Sequence, residues 1–178
     1  GTRCGTVDPA IVTYIMEKKG YTPEQMNDYM NKQCGMLGLT GFNDAREIMA
    51  SYNAGPDAKV DPNAHIPEYD RAELCMSILF YQIKKYIGAY AAAMNGLDAL
   101  VFTAGIGENN DVMREQVCAD MSYLGIELDT RVNASAVRQS NIVKLSTDAS
   151  KVAVYLIPTN EELVIARDTE AIVSALKH

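Results

Sequence analysis

LDALVFTAGIGENN, residues 97–110, contains the clearest change of hydrophobic period in the chain. Its first eight residues form a nearly continuous apolar run of strand length, which predicts a strand covered on both faces. Gly105 and Gly107 interrupt the run, and after them the apolar residues return at the three- and four-residue spacing of a helix. The order of strand, glycine turn and helix is typical of an α/β protein.

The residues before this stretch predict mainly helices. Apolar positions at helical spacing indicate a long amphipathic helix over about residues 68–94. Two shorter helices are expected after the capping residues Asp8 and Thr22, each of which is followed by a proline, and a third begins at Asp44. The glycine-rich segment 35–41 is predicted to make close backbone turns, because its glycines resist a helix.

The residues after this stretch predict two more strands, at 142–145 and 152–157, of which the second is buried. A last helix is expected to follow, with a T-x-x-E capping box formed by Thr159 and Glu162. Ligands of open parallel sheets bind beyond the carboxyl ends of the strands, so the exits of 97–104 and 152–157 can share one crevice.

Composition and charge restrict the function. The 178 residues include 16 Lys and Arg against 23 Asp and Glu, which gives a net charge of −7. So acidic a chain is a poor candidate for binding nucleic acid or an anionic membrane surface. No apolar run approaches the roughly 18–20 residues that span a bilayer. Because Gly1 stands where a Met would begin a protein, we expect the chain to start inside a longer one.

The chain contains four cysteines: Cys4, Cys34, Cys75 and Cys118. None forms a C-x-x-C pair, so we expect no zinc site and a reduced, cytosolic protein. Cys75 and Cys118 fall inside apolar helical patterns, which predicts buried thiols. His65 lies in a polar loop and His178 at the terminus, which argues against catalysis by a histidine base.

The turn GIGEN at residues 105–109 is the strongest candidate for a ligand site. A strand that ends at glycines and leads into a helix leaves free backbone N–H groups, and the missing Cβ atoms let a phosphate approach closely. Glycines can equally serve only to make the turn, and both interpretations stay open. Asn110 replaces the third glycine of a dinucleotide fingerprint, and no G-K-[ST] follows.

Three further segments are weaker candidates. Glu161, beyond the second buried strand, could bind Mg²⁺, although this segment can also serve only to cap a helix. Arg3 could bind an anion, or it could be an ordinary surface arginine. Asp44-Ala45-Arg46 could contact a ligand, or could be a helix cap beside a solvated arginine.

These segments, taken in order, resemble the C-terminal part of the acetate kinase family. The matching motifs are GTRCGTVDP at 1–9, DAR at 44–46, FTAGIGEN at 102–109 and PTNEE at 158–162, with IKKYIGAYAAAM at 83–94 similar to the helix before that family's adenosine loop. The resemblance covers essentially all 178 residues.

The resemblance implies an α/β fold: the C-terminal lobe of a ribonuclease-H-like, actin-like ATPase kinase, helix-rich and incomplete at its N-terminus. Residues 1–178 would form the nucleotide-binding lobe. The implied reaction is Mg²⁺-dependent phosphoryl transfer between ATP and acetate, which gives ADP and acetyl phosphate. The implied partners are acetate or acetyl phosphate, the N-terminal lobe of the same enzyme, and a second copy in a cytoplasmic homodimer.

The resemblance also implies roles for individual residues. Arg3 is the catalytic arginine, which stabilises the phosphoryl group in transit. Contacts to the nucleotide are expected from Asp44, Ala45, Arg46, Gly105, Ile106, Gly107, Glu108 and Asn109. Glu161 is the carboxylate associated with Mg²⁺, and we prefer it to Glu162 because the predicted capping box occupies Glu162.

The chain departs from the family pattern at Cys4, where serine is commoner, and at Thr6, where an acidic residue is expected. The N-terminal lobe and the first strands of the C-terminal lobe have no counterpart. We therefore expect exposed strand edges or apolar faces, and a chain that binds ATP weakly without phosphorylating acetate by itself. The alternatives are a propionate or butyrate kinase, and a non-catalytic nucleotide-binding or interaction module; a dinucleotide oxidoreductase is disfavoured.

Overall fold

The computed structural model describes residues 1–58, 65–137 and 140–176, and of Glu161 only the backbone. The chain folds as two compact units, Gly1–Tyr81 and Gln82–His178, and the boundary between them falls inside the longest helix. We describe each unit by itself.

The first unit is helical in the residues described. Its elements are α1 (Pro9–Lys19), α2 (Pro23–Lys32), α3 (Gly35–Thr40), α4 (Ala45–Ala54) and the beginning of α5 (Tyr69–Ala93). The predicted helix starts are confirmed: the Asp8 carboxylate accepts from the Ala10 amide, and Thr22 forms a reciprocal capping box with Gln25. Residues 59–64, between α4 and α5 in the chain, lie outside the described residues.

The prediction that residues 35–41 avoid a helix is wrong, because α3 occupies Gly35–Thr40. The stabilisation comes from residues distant in sequence. The amide of Cys34 donates to the Thr2 carbonyl at 2.9 Å, and that of Leu37 donates to the Gly1 carbonyl at 2.9 Å. The first residues of the chain therefore accept from amides at the start of α3 that no helix can satisfy internally.

The second unit contains the sheet. After the end of α5 its elements are β1 (Ala99–Phe102), α6 (Ala104–Asn109), α7 (Asp111–Cys118), a short 3₁₀ turn (Ser122–Leu124), α8 (Thr130–Ser135), β2 (Val143–Lys144), β3 (Ala153–Leu156) and α9 (Glu161–Ala175). β3 lies in the centre of the sheet, parallel to β1 and antiparallel to β2. The predicted order of strand, turn and helix at residues 97–110 is confirmed.

The expectation that β1 is covered on both faces is wrong. The side chain of Val101 is 45% exposed, whereas Val154 and Leu156 on β3 are completely buried. β3 has a strand on each side, but β1 is an edge strand of the described sheet. An apolar run predicts that both faces of a strand are buried. In the described residues nothing covers one face of β1.

The buried cysteines are confirmed, with Cys75 3% and Cys118 5% exposed. Burial raises the pKa of the Cys118 thiol to about 12, so it stays protonated and chemically inert at neutral pH. Among the helices of residues 1–58, 65–137 and 140–176, none has the length and apolar character to cross a membrane.

Candidate functional site

The carboxyl ends of β1 and β3 lie side by side, as the sequence predicts. Phe102 is paired with Leu156, and the Ile157 amide donates to the Phe102 carbonyl at 2.9 Å. One residue beyond β1, the Thr103 hydroxyl lies 2.8 Å from the hydroxyl of Thr159. Two strand exits more than fifty residues apart in sequence therefore form one edge.

Ala104 follows β1 with a backbone angle φ of 58°, in the left-handed region that costs a residue with a Cβ about 1–2 kcal/mol. Its amide donates to the Thr159 hydroxyl at 3.0 Å, which holds this conformation in place. Strain of this kind persists where surrounding contacts enforce it, and it is concentrated at ligand sites.

Glu108 links α6 to the exit of β3. Its carboxylate accepts a hydrogen bond from the Thr159 amide at 2.8 Å. This bond and further hydrogen bonds from the Thr159 hydroxyl and the Ala104 amide hold the pKa of the Glu108 carboxyl below its ordinary value. Glu108 is therefore an anion at neutral pH that fixes the distance between the two loops.

The two exits enclose a cleft of about 420 Å³. The residues that line it are Ala104, Gly105, Glu108, Thr159, Asn160 and Glu162. Backbone, hydroxyl and carboxylate groups dominate this lining, which suits a polar ligand and, through its oxygen donors, a hard cation. Gly107 is buried behind the cleft, against the backbone of Phe102.

The predicted capping box at the start of α9 is wrong. The N-cap is Asn160, whose side chain accepts from the Leu163 amide at 3.1 Å, while the Thr159 hydroxyl bonds to Thr103 and Ala104. The ground for preferring Glu161 over Glu162 is thereby lost. Glu162 lines the cleft, and the side chain of Glu161 lies outside the described part of the structure.

In the first unit, Arg3 lies on a segment that is anchored on both sides. The Cys4 amide donates to the Met30 carbonyl at 2.8 Å, and the Thr2 hydroxyl donates to the Asn31 carbonyl at 2.7 Å. The Arg3 side chain is exposed, and its guanidinium makes no hydrogen bond or ion pair with any residue in the described ranges. An anchored backbone with an unpaired cation suits an anionic ligand.

Gly35 allows the backbone of Arg3 to approach the start of α3 closely. A Cβ on Gly35 would lie 2.6 Å from the Arg3 carbonyl oxygen, closer than side chains allow, and its φ is 61°. The glycines of segment 35–41 were predicted to allow close backbone approach, and Gly35 does so with a partner that sequence alone did not identify.

Asp44 and Arg46 bind each other. The Asp44 carboxylate caps α4 by accepting from the Arg46 amide at 2.8 Å, and it also pairs with the Arg46 guanidinium. These contacts lower the pKa of Asp44 to about 2. The capping interpretation is thus confirmed. Ala45 begins the helix, and the Arg46 side chain is 91% exposed, open to a ligand.

The predicted site residues thus form two groups. Residues 105–109 lie on α6 in the second unit: Glu108 bonds to Thr159, the Asn109 side chain donates to the Gly105 carbonyl at 3.0 Å, and Ile106 is exposed. Arg3 belongs to the first unit together with the Asp44 cap. A Cβ on Gly1 would lie 2.8 Å from the Asn43 carbonyl oxygen, so the Arg3 segment runs close to that cap.

Sequence reasoning missed two residues. The importance of Thr159 depends on a partner at Thr103, which no local pattern shows. Arg114 is completely buried behind the glycine turn. The sequence does contain a signal for the burial of Arg114: it lies three and seven residues before the buried Val117 and Met121, on the apolar face of the helical pattern.

Comparison with known proteins places these motifs in a family. The profile of the acetokinase family matches residues 1–167. A curated acetate kinase of Carboxydothermus hydrogenoformans is 48% identical over 169 residues, which cover 95% of this chain and 38% of that protein. One of Moorella thermoacetica is 47% identical, over 98% of this chain and 40% of that protein. The chain therefore spans about 40% of the length of these relatives.

Solved structures agree in fold. The acetate kinase of Porphyromonas gingivalis is 42% identical and superposes with a TM-score of 0.80, over 97% of this chain and 40% of that one. A propionate kinase of Francisella tularensis is 33% identical with a TM-score of 0.75, over 93% of this chain and 38% of that one. The fold is that of the actin-like ATPases. The chain belongs to the acetokinase family.

Proposed function

We propose that this chain is the nucleotide-binding part of an acetate kinase, an enzyme that transfers a phosphoryl group between ATP and acetate to form ADP and acetyl phosphate. Residues 1–178 act in this proposal as the C-terminal lobe of a two-lobe enzyme. The observation that carries the proposal is the cleft between the exits of β1 and β3, with Thr103, Thr159 and Glu108 joined across it.

One side of the cleft, formed by residues 104–109 and called the nucleotide wall below, suits a nucleotide. Gly105 lines the cleft without a side chain, and Gly107 packs on the Phe102 backbone behind it, so the backbone of residues 105–109 can lie close to adenosine and the α-phosphate. Glu108 holds this wall to Thr159 before any ligand arrives, and a wall set in advance loses little freedom on binding. The Asp44-Ala45-Arg46 segment adds a further nucleotide contact in the same proposal.

Arg3 stabilises the reaction in this proposal. Phosphoryl transfer passes through a loose transition state whose charge is spread over three equatorial oxygens, and a fixed guanidinium stabilises that charge without moving a proton. The anchored backbone of residues 2–4 and the unpaired state of the guanidinium within the described residues support this role.

The donor set of the cleft fits Mg²⁺ bound together with a nucleotide. The described residues contain no group of three or more possible protein ligands. Mg²⁺ usually takes one or two carboxylates and completes its shell with phosphates and water. We propose Glu161 as the carboxylate because its place in the PTNEE motif matches the family's Mg²⁺-associated carboxylate, and Glu162, which lines the cleft, is the alternative. The ion, when bound, neutralises phosphate charge.

The remaining partners follow from the same proposal. The edge of β1 and the exposed Val101 offer a surface that the rest of a longer enzyme could cover, including the N-terminal lobe that would supply the acetate pocket. A cytoplasmic homodimer belongs to the same proposal. Acyl-chain length would be chosen outside this chain, and the similarity to a propionate kinase makes propionate the second candidate substrate.

The test is nucleotide binding by the 178-residue chain, measured by calorimetry with Mg²⁺ and ATP. A Cβ on Gly107 would make only ordinary contacts, at 3.4 Å and beyond, with Phe102. We therefore expect Gly107→Ala to bind like the original chain. Gly107→Val, whose additional methyl groups crowd the wall, should bind more weakly by about tenfold. Equal ATP affinity in all three proteins would contradict the proposed nucleotide wall.

A second measurement concerns activity. The chain by itself should form no acetyl phosphate, trapped as its hydroxamate, because transfer needs both lobes to align donor with acceptor and exclude water. An enzyme of the relatives' full length that carries this sequence should form it. Acetyl phosphate formed by residues 1–178 alone would contradict the division of roles between the lobes.

A further inference from the structure

Arg114 on α7 is completely buried and uses every donor it has. Its Nε donates to Asn133 Oδ1 at 2.7 Å. One terminal nitrogen donates to the carbonyls of Gly107 and Glu108, at 2.8 and 3.0 Å. The other terminal nitrogen donates to the carbonyls of Asn133 and Ala136, at 3.0 and 3.1 Å. A guanidinium has five N–H donors, so none is left over.

All these acceptors are neutral oxygens, and no carboxylate within the described ranges forms an ion pair with Arg114. The Asp111 carboxylate on the same helix favours the charge of Arg114 without forming an ion pair with it. A buried cation without an ion-pair partner is still expensive, and apolar side chains of similar volume often stabilise a core at least as well. The cation is therefore better explained by what it holds than by core packing alone.

Asn133 completes the arrangement. It is also fully buried, and its side-chain amide donates to the Asp111 carbonyl at 2.8 Å while its oxygen accepts from Arg114. One polar network thus ties α6, α7 and α8 together. Two of its bonds end on Gly107 and Glu108, near the C-terminus of α6, where a six-residue helix leaves carbonyls unsatisfied.

We propose that Arg114 and Asn133 are positioning residues for the nucleotide wall. They hold the Gly107 and Glu108 carbonyls from behind, and so set the face that Gly105 and Glu108 present to the cleft. This proposal rests on the proposed function for its ligand, but the order of residues 104–109 can be measured without one.

Two substitutions loosen the network in different ways. Arg114→Lys offers at most three N–H donors in place of five, so at least two of the five hydrogen bonds that Arg114 makes are lost. In Asn133→Ser the guanidinium remains and loses its side-chain partner. Leu145→Ala is the matched control: Leu145 is equally buried in the same unit, and its amide pairs with Val154 in the sheet. The Leu145 side chain forms none of the network's hydrogen bonds, and its backbone carbonyl, which accepts from the Asp129 amide at 2.8 Å, is kept in the variant. We therefore expect the control to lower stability and leave the five Arg114 hydrogen bonds in place.

The experiment compares thermal midpoint, ATP affinity with Mg²⁺, and amide hydrogen exchange of residues 104–109 in the 178-residue chain, at a temperature where every protein is folded. We expect exchange in 104–109 to be faster by about tenfold in both network variants, and ATP dissociation constants to rise by about tenfold. Leu145→Ala should lower the midpoint while exchange in 104–109 and ATP affinity stay unchanged.

A purely structural role predicts that all three variants behave alike at equal loss of stability, and that result would overturn the proposal. If Arg114→Lys does not fold, Asn133→Ser decides, and unchanged exchange and affinity in it would overturn the proposal as well. If the original chain fails to bind ATP, the proposed function fails, while the exchange contrast between Asn133→Ser and Leu145→Ala still tests the positioning role.

Discussion

The amide of Thr159 donates a hydrogen bond of 2.8 Å to the carboxylate of Glu108, a residue 51 positions earlier in the chain. The Thr159 hydroxyl also meets Thr103 and the strained Ala104. One threonine therefore joins the end of β3 to both the end of β1 and helix α6. The candidate nucleotide wall is thus held by side-chain and backbone polar groups before any ligand is bound.

The Glu108 contact predicts a pH dependence. Its hydrogen bonds favour the carboxylate, so the folded-state pKa is lowered. The stability it contributes is present above the ordinary glutamate pKa of about 4.3 and is lost as the pH falls through the lower folded value. We expect the thermal midpoint of Glu108→Gln to lie below that of the original chain at pH 7, and the difference to shrink below pH about 4.

Glu115→Gln is the control, since Glu115 is an exposed glutamate on the adjacent helix. Its midpoint should follow that of the original chain across the whole pH range. A Glu108→Gln difference that grows as the pH falls would contradict the assigned direction of the shift.

Gly35 is predicted to be intolerant of any side chain. Gly35→Ala combines a left-handed φ of 61° with a Cβ 2.6 Å from the Arg3 carbonyl. Gly20 has a similar φ of 67° with nothing within 4 Å, so Gly20→Ala isolates the backbone term. We expect Gly20→Ala to lower the free energy of unfolding by about 1–2 kcal/mol, and Gly35→Ala to lower it by at least about 1 kcal/mol more. Denaturant unfolding measures both, and equal losses would show that residues 1–4 do not pack on α3 as described.

Asp44 allows capping to be separated from nucleotide contact. Asp44→Ala removes both, while Asp44→Ser keeps a good N-cap without the charge or the Arg46 pair. We expect Asp44→Ala to lower the thermal midpoint by a few degrees and Asp44→Ser to recover most of it. Both should bind ATP more weakly if the segment contacts the nucleotide. Full ATP affinity in Asp44→Ser would leave Asp44 as a cap only.

The stability that Asp44 contributes should also persist at mildly acidic pH. Because the pKa of Asp44 is lowered to about 2, the stability that its cap and ion pair contribute is fully present well above the ordinary aspartate pKa of about 3.9 and is lost as the pH falls from there through about 2. The midpoint difference between the original chain and Asp44→Ala should therefore stay constant between pH 7 and about pH 5, and most of it should remain at pH 4. A difference that already vanishes near pH 4 would contradict the lowered pKa.

Arg3 is predicted to act on turnover. In an enzyme of the relatives' full length that carries this sequence, Arg3→Ala should lower kcat by at least about a thousandfold, with little change in the KM for ATP. The reason is that its contact strengthens in the transition state. Arg167→Ala, which removes an exposed arginine on α9, is the control and should leave kcat unchanged. A normal kcat in Arg3→Ala would remove Arg3 from the mechanism.

The two adjacent glutamates at the start of α9 can be distinguished by their magnesium dependence. Glu161→Gln should raise the Mg²⁺ concentration required for half-maximal ATP binding, and Glu162→Gln should leave it near the original value. The two variants serve as controls for each other, since each removes one charge from the same helix turn. The reverse pattern would transfer the metal role to Glu162, which lines the cleft.

Features that depend on neighbouring residues were predictable from sequence. The caps at Asp8 and Thr22, the long helix α5 and the strand, turn and helix order around Gly105 all follow from local patterns. The meeting of two strand exits in one crevice was predictable too, because the carboxyl ends of parallel strands lie at one edge of a sheet.

Features that depend on distant partners were not predictable. Thr159 matches a local capping box, but in the structure its hydroxyl accepts a hydrogen bond from the Ala104 amide at the end of the neighbouring strand instead. Segment 35–41 resists a helix by composition, yet it forms α3, where the carbonyls of Thr2 and Gly1 accept hydrogen bonds from the amides of Cys34 and Leu37. In each case long-range hydrogen bonds outweigh a local preference.

Sequence by itself therefore established the types and order of the elements, the family motifs and the position of the cleft at the strand ends, because these depend on hydrophobic period and short-range capping. Tertiary contacts alone determined which groups form the wall of that cleft. Arg114 and Thr159 acquire their partners only when distant segments come together, and a buried polar group must find partners wherever the fold supplies them.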